Sequence, residues 1–231
     1  MIKEGKIGMQ ETVFLVVIAL SNRIFFTAPT VVERSVGTAG WYMAVISNLE
    51  TTVFFTFIYL LLKRFPGKNI IQIFHIVLGR AIGFIFSFTY AASFLVAGGV
   101  LLREFVDVLK IYVFPETPIS VLIGAFLVVI IPAAFLGLES IARVAKLAGF
   151  TLLIGLALLI GLAAQHFKFT NLFPIMGYGL GKTVFEGLTR SAAYSEIIVI
   201  AIFAGAVQGS KHIKKAGYIS LALSGIIVAS T

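Results

Sequence analysis

Apolar residues run along this chain in blocks, separated by short charged or Gly- and Pro-rich connections. Seven blocks stand at about 10–32, 40–62, 81–102, 119–138, 144–164, 189–208 and 216–231. Most lie near the ~20 residues that a helix needs to cross a bilayer; the last is slightly short. The blocks do not alternate as strands do, so the pattern predicts an all-α membrane protein with one transmembrane domain over 1–231.

Two blocks interrupt their own pattern. The first reads QETVFLVVIALSNRIFFTAPTVV, with Ser21, Asn22 and Arg23 at its middle and Thr27, Ala28 and Pro29 one to two turns later. A guanidinium at mid-membrane costs roughly 3 kcal/mol on insertion scales. Such a break is tolerated only where it lines protein or a water-filled cavity. In the sixth block Ala192, Ala193, Tyr194 and Ser195 make a small or polar patch before Glu196 and a β-branched run. The two breaks are five spans apart. Broken helices at corresponding places of successive five-helix units point to an inverted-repeat, 5+5 transporter-type bundle with its site near the midplane.

Three charges fall near mid-span: Arg23, Glu50 and Glu196. Ionisable residues there are candidates for a functional site and need a partner. The expected pairing without ligand is Arg23 with Glu196, with Glu50 as the second choice. Half-helix N-termini favour an anionic group. Arg23 would hold a carboxylate or stand where other transporters place a sodium ion; both stay open. In the third span Tyr90 and Ser93 are positioned to face a pocket, with helix packing by small residues as the alternative.

Composition agrees with the pattern: 59% of residues are hydrophobic and 12% charged, against about 25% charged in soluble domains. Mean hydropathy is +1.06. The absence of cysteine excludes disulfide and thiol chemistry. A net charge of +8 would suggest nucleic acid in a soluble protein. Here the charges flank the spans and read as topogenic, so the partner they imply is the bilayer and not nucleic acid. With the N-terminus inside, Lys3, Lys6, Lys63, Arg64, Lys68, Arg80, Arg143, Lys146, Lys211, Lys214 and Lys215 face the cytoplasm. Arg34, Arg103, Lys110, Lys168, Lys182 and Arg190 face out, an excess of eleven to six that sets this orientation. No cleavage site follows a short apolar core, so the first block reads as an uncleaved span. KNIIQIFHIVLGR (68–80) is amphipathic and predicts a short helix at the inner interface. The Gly- and Pro-rich 165–190 segment would form a surface helix, a lid or a plain connection.

Enzyme signatures fail. GKT at 181–183 ends like a phosphate loop, but Met176 stands where the first glycine is required. H-E-x-x-H and G-x-S-x-G do not occur. His75, His166 and His212 are scattered at span ends. No catalytic function, metal or cofactor is expected.

Several stretches, in order, carry a resemblance: NRIFFTAP (22–29), GWYMAVIS (40–47), KRFPGKNI (63–70), LLREFVDVL (101–109), FPETPISV (114–121), GLESIARVAKL (137–147), NLFPIMGYG (171–179) and SEIIVI (195–200). Together they cover nearly the whole chain. The chain resembles the spore-germination permease family, the B subunits of nutrient germinant receptors, within the amino acid–polyamine–organocation superfamily. The resemblance implies a ten-helix fold of two inverted repeats, with an amino acid-like nutrient bound between broken helices 1 and 6 and helices 3 and 8. It carries Ser21, Asn22, Arg23, Phe26, Thr27, Tyr194, Ser195 and Glu196 into that site. Two departures matter. Asn22 and Ile24 stand where many relatives have glycine. Against the ten helices that the resemblance implies, helices 8–10 have no counterpart in the seven blocks, and a bundle truncated to about seven helices is the expectation. The implied function is a nutrient-binding membrane subunit of a germinant receptor, in the bacterial or spore inner membrane, acting with other receptor subunits. A proton-coupled amino-acid transporter and a non-transporting scaffold are the alternatives.

Overall fold

The computed structural model describes residues 7–26, 28–166, 173–207 and 209–230, apart from the side chains at 22–30, 166, 193, 210 and 230. These residues form an all-α bundle: α1 (Met9–Phe26), α2 (Ala28–Val36), a 3₁₀ turn (Gly37–Ala39), α3 (Gly40–Arg64), α4 (Ile70–Tyr112), α5 (Ile119–Phe135), α6 (Leu138–Ala163), α7 (Leu180–Arg190), a 3₁₀ segment (Ser191–Ile198), α8 (Val199–Phe203) and α9 (Ser210–Ser230). Val31–Arg64, Ile70–Tyr112 and Leu138–Ala163 are long and apolar enough to cross a membrane, and Met9–Ser21 and Ile119–Phe135 are shorter apolar helices. This is an integral membrane helical bundle. Its sixth apolar block is not one α-helix but α7, the 3₁₀ segment and α8 in succession.

The core forms where α1, α3 and α9 meet. On α1 the buried Val13, Val16, Val17 and Leu20 recur at helical spacing, which makes one apolar stripe. On α9 Ile213, Ala216, Ser220, Leu221, Ser224 and Ile227 do the same. Small residues in that stripe let backbones approach closely, as membrane packing requires. A Cβ on Gly217 would overlap the buried Phe55 ring of α3. A cross-link adds direction: Asn48 Nδ2 donates to Leu221 O at 2.9 Å, while Ser220 Oγ donates to Ala216 O of its own helix at 2.7 Å and lies 3.2 Å from Val13 O.

The long α4 is two helices. Gly79 at φ 78 breaks it into 70–78 and 80–112, at the boundary the amphipathic pattern implies. Asn69 starts the first piece with a capping box: its side chain accepts from Gln72 N at 2.8 Å and its N–H donates to Gln72 Oε1 at 3.2 Å. The pieces fold against each other, because a Cβ on Gly83 would meet His75 Cα at 2.8 Å. Phe74 packs on Phe86 and Tyr90, with ring centroids 5.9 and 6.1 Å apart. This contact holds Tyr90 in place. Beyond it, Leu95, Val96 and Val100 are exposed. Lipid tails are as apolar as leucine, so exposure costs such side chains little in a bilayer.

At the opposite end, segment 173–179 is strapped to the junction of α2 and α3. Tyr178 N donates to Val36 O at 3.3 Å, and Thr38 Oγ1 to Pro174 O at 2.5 Å. Gly177 lies at φ +52, where a Cβ would overlap Val36 O, so only glycine fits. Arg190 Nη2 reaches Ser35 Oγ at 2.9 Å and ties the end of α7 to α2.

Candidate functional site

The Ser191–Ile198 segment winds with 3₁₀ geometry over eight residues. Runs beyond three or four are uncommon, and a 3₁₀ stretch inside a helix often marks a hinge. With three residues per turn, every third side chain shares a face. Tyr194, Ile197 and Ile200 accordingly turn inward and are buried, packed in the core with Val16 and Leu20 of α1. Ser195, Glu196, Ile198 and Val199 line a cavity instead.

That cavity measures about 390 Å³. Its other wall is α4, which contributes Tyr90, Ser93, Phe94, Ala97, Gly98 and Leu101, and Ala19 of α1 closes it. The volume falls in the range of small-molecule sites, roughly 300–1,000 Å³, and the lining is similar in kind: mostly apolar, with few polar groups. A half-buried carboxylate, two serine hydroxyls and a phenol share this lining. Such a set can accept hydrogen bonds from an ammonium at Glu196 and exchange them with other polar atoms at the hydroxyls. Phe94, Leu101 and Val199 offer surface to an apolar group.

The positions singled out in the sequence therefore separate. Tyr90, Ser93, Ser195 and Glu196 come together at one cavity. Tyr194 faces the core. Ser21 is fully buried on α1, and its Oγ has no hydrogen-bond partner among the described residues. Glu50 sits half-buried on α3, outside the cavity lining. Its Oε2 is enclosed without a hydrogen-bond partner among the described residues. The side chains of Asn22, Arg23 and Phe26, and Thr27 altogether, lie outside the described residues. Phe94 and Leu101 were not foreseen; their spacing from Tyr90 and Ser93 along one helical face is the signal that could have found them. Among the described residues no group of His, Asp and Glu side chains could hold a metal ion.

The sequence profile of the family described as "Spore germination protein" matches residues 6–231. The chain belongs to that family. It is 25% identical over 224 residues to spore germination protein KB of Bacillus subtilis (strain 168), covering 95% of this chain and 59% of that protein. It is 26% identical over 142 residues to spore germination protein GerQB of Bacillus cereus, covering 62% and 39%. It is 20% identical over 195 residues to spore germination protein YndE of Bacillus subtilis (strain 168), covering 84% and 54%. The chain thus spans less than two thirds of the length of these relatives. No solved structure matches it.

Proposed function

We propose that this family member is a membrane subunit of a nutrient germinant receptor and that it binds a small amino acid-like nutrient in the cavity between α4 and the Ser191–Ile198 segment. The observation that carries the reading is the cavity itself. It joins the carboxylate of Glu196, on a hinge-like 3₁₀ stretch, to the hydroxyls of Tyr90 and Ser93 on a long rigid helix. The nutrient's ammonium would bond Glu196, and its apolar side chain would lie against Phe94 and Leu101. Binding would select one winding of the 3₁₀ stretch, and that choice would be passed to other receptor subunits. A ligand shifts such an equilibrium only by its differential affinity for the two states. The excess of basic residues at one end of the bundle supports an inward N-terminus. The 3₁₀ winding of Ser191–Ile198 between α7 and α8 gives one interrupted helix of the kind that the inverted-repeat architecture uses, and this supports that reading.

Replacing Glu196 by Gln tests the site. A charged hydrogen bond is worth about 2 kcal/mol, so the nutrient concentration for half-maximal response should rise about thirtyfold. Glu139→Gln, at an exposed carboxylate bonded to Arg143, should change it less than about twofold. The readouts are a ligand-dependent thermal shift across an amino-acid panel and the germination response of spores. Equal, negligible effects from both variants would sink the assignment. Reconstitution in vesicles separates the roles: binding without flux marks a receptor, and pH-dependent accumulation of labelled amino acid marks a transporter.

A further inference from the structure

The basic residues at one end of the bundle are not spread evenly. Where α3 ends and α9 begins, Gly67 O comes close to Gly205, and Gly67 and Lys68 share a cavity of about 80 Å³ with Val207, Gly209 and Ile213. Lys68 lines this contact, Lys63 and Arg64 end α3 just before it, and Lys211, Lys214 and Lys215 lie in the opening turns of α9 just after it. Lys214 Nζ lies 5.9 Å from the centroid of Tyr59, one turn before Lys63. All six side chains are exposed, and among the described residues none has a carboxylate within ion-pair distance.

At the same end, around α6, the pattern is the reverse. Arg143 bonds Glu139 and Lys146 bonds Glu11 at 2.5 and 3.1 Å. A topogenic role requires basic residues on one side of the membrane, not their concentration on one patch. Lys211 also sits in the first turn of α9, where the helix end is itself positive and like charge is unfavourable. A bound anion would relieve that repulsion. Beside the patch, helix 70–78 exposes Ile76, Val77 and Leu78. Basic charge next to an exposed apolar face fits a membrane interface better than it fits a soluble anion or an acidic protein.

We propose that this face binds the phosphate headgroup of an anionic phospholipid, with the apolar side of helix 70–78 set in the adjoining acyl layer. The site shares no residue with the nutrient cavity and does not depend on it. If the N-terminus lies inside, the lipid belongs to the inner leaflet.

The test is native mass spectrometry of the full chain, purified in detergent and offered equal amounts of phosphatidylglycerol and phosphatidylcholine. The chain should retain phosphatidylglycerol preferentially. Each basic residue near a membrane surface contributes about fivefold, so Lys211→Gln, Lys214→Gln and Lys215→Gln together should reduce the preference about a hundredfold. The matching Lys→Arg variant should keep it, and Lys110→Gln with Lys182→Gln should leave it unchanged. Inorganic phosphate and glycerol phosphate at millimolar concentration should fail to displace the lipid. An unchanged preference in the triple Gln variant overturns the proposal, as does an equal loss in the distal pair. Displacement by inorganic phosphate overturns it in favour of a soluble anion. Tighter retention of a poly-glutamate peptide than of the lipid overturns it in favour of an acidic protein.

Discussion

Two stretches of this bundle carry polar side chains in mid-helix, and only one of them rewinds. Helix α3 holds Ser47, Asn48, Glu50, Thr51, Thr52 and Thr56, yet stays α-helical over 25 residues. The stretch from the end of α7 onward holds Thr189 and then, in 3₁₀ winding, Ser191, Ser195 and Glu196. The hydroxyls show the difference locally. On α3 the threonines bond the carbonyl four residues back: Thr51, Thr52 and Thr56 to Ser47, Asn48 and Thr52 O at 2.8 Å each. At the end of α7, Ser191 Oγ bonds Leu188 O three residues back at 2.8 Å, and Thr189 also reaches Glu186 O at 3.1 Å. Polarity alone therefore does not break a helix. A hydroxyl can return to its own backbone and leave the winding intact. What differs is the surroundings: α3 is gripped by α9 and α7, whereas Ser191–Ile198 rests on α1 and α3 but faces a cavity with its other side.

The largest effect should come from loosening the grip on α3. Gly217→Ala would drive a methyl into Phe55, which is fully buried and held edge-on by Tyr218 at 5.3 Å. Overpacking of this kind costs roughly 1–3 kcal/mol. The thermal midpoint in detergent should fall, while Gly124→Ala, which meets open space on α5, should leave it unchanged. Equal midpoints for the two variants would show that α9 does not confine α3.

A smaller effect is expected where α3 meets α7. Ser47 Oγ reaches Gly187 O at 2.6 Å within a buried contact. A hydrogen bond between membrane helices is worth about 1 kcal/mol. Ser47→Ala should lower stability by that amount. It should also raise amide hydrogen exchange over 191–198, because the 3₁₀ segment follows directly from the anchored α7. Unchanged exchange there would separate the anchor from the winding.

These contrasts also explain what could be read in advance. The helical blocks, the corner near 79–80 and the polar interruption around Ser195 and Glu196 follow from local pattern: apolar length, amphipathic period, and polar residues where lipid disfavours them. That Tyr90 and Ser93 meet Ser195 and Glu196 at one cavity does not, because local pattern fits packing by small residues on that span equally well. Tyr194 does not follow. On an α-helix it would be as good a lining residue as Ser195, and only a period of three turns it to the core with Ile197. Gly79 and Gly83, four residues apart, have different tasks: Gly79 is the corner, and Gly83 on the 80–112 piece makes room for Phe74 and His75 of the 70–78 piece. Sequence spacing marks where backbones come close but not which ones. Glu50 shows the same limit, since its place outside the cavity depends on the rotation of α3 against α7.

The smallest effect is the most discriminating. Thr52 is half-buried, and among the described residues its hydroxyl bonds only Asn48 O within its own helix. Thr52→Val removes that bond, keeps the β-branched shape and leaves the backbone hydrogen bonds of α3 in place. Valine is also at home in an apolar helix. The expected change in stability is within about 0.5 kcal/mol, the usual range for substitutions away from special features. The helical content by circular dichroism should be unchanged. A loss above about 1 kcal/mol, or a loss of helix, would mean that the returned hydroxyls themselves hold α3 in its winding. The contrast with Ser191–Ile198 would then lie in the direction of those bonds rather than in the packing around each helix.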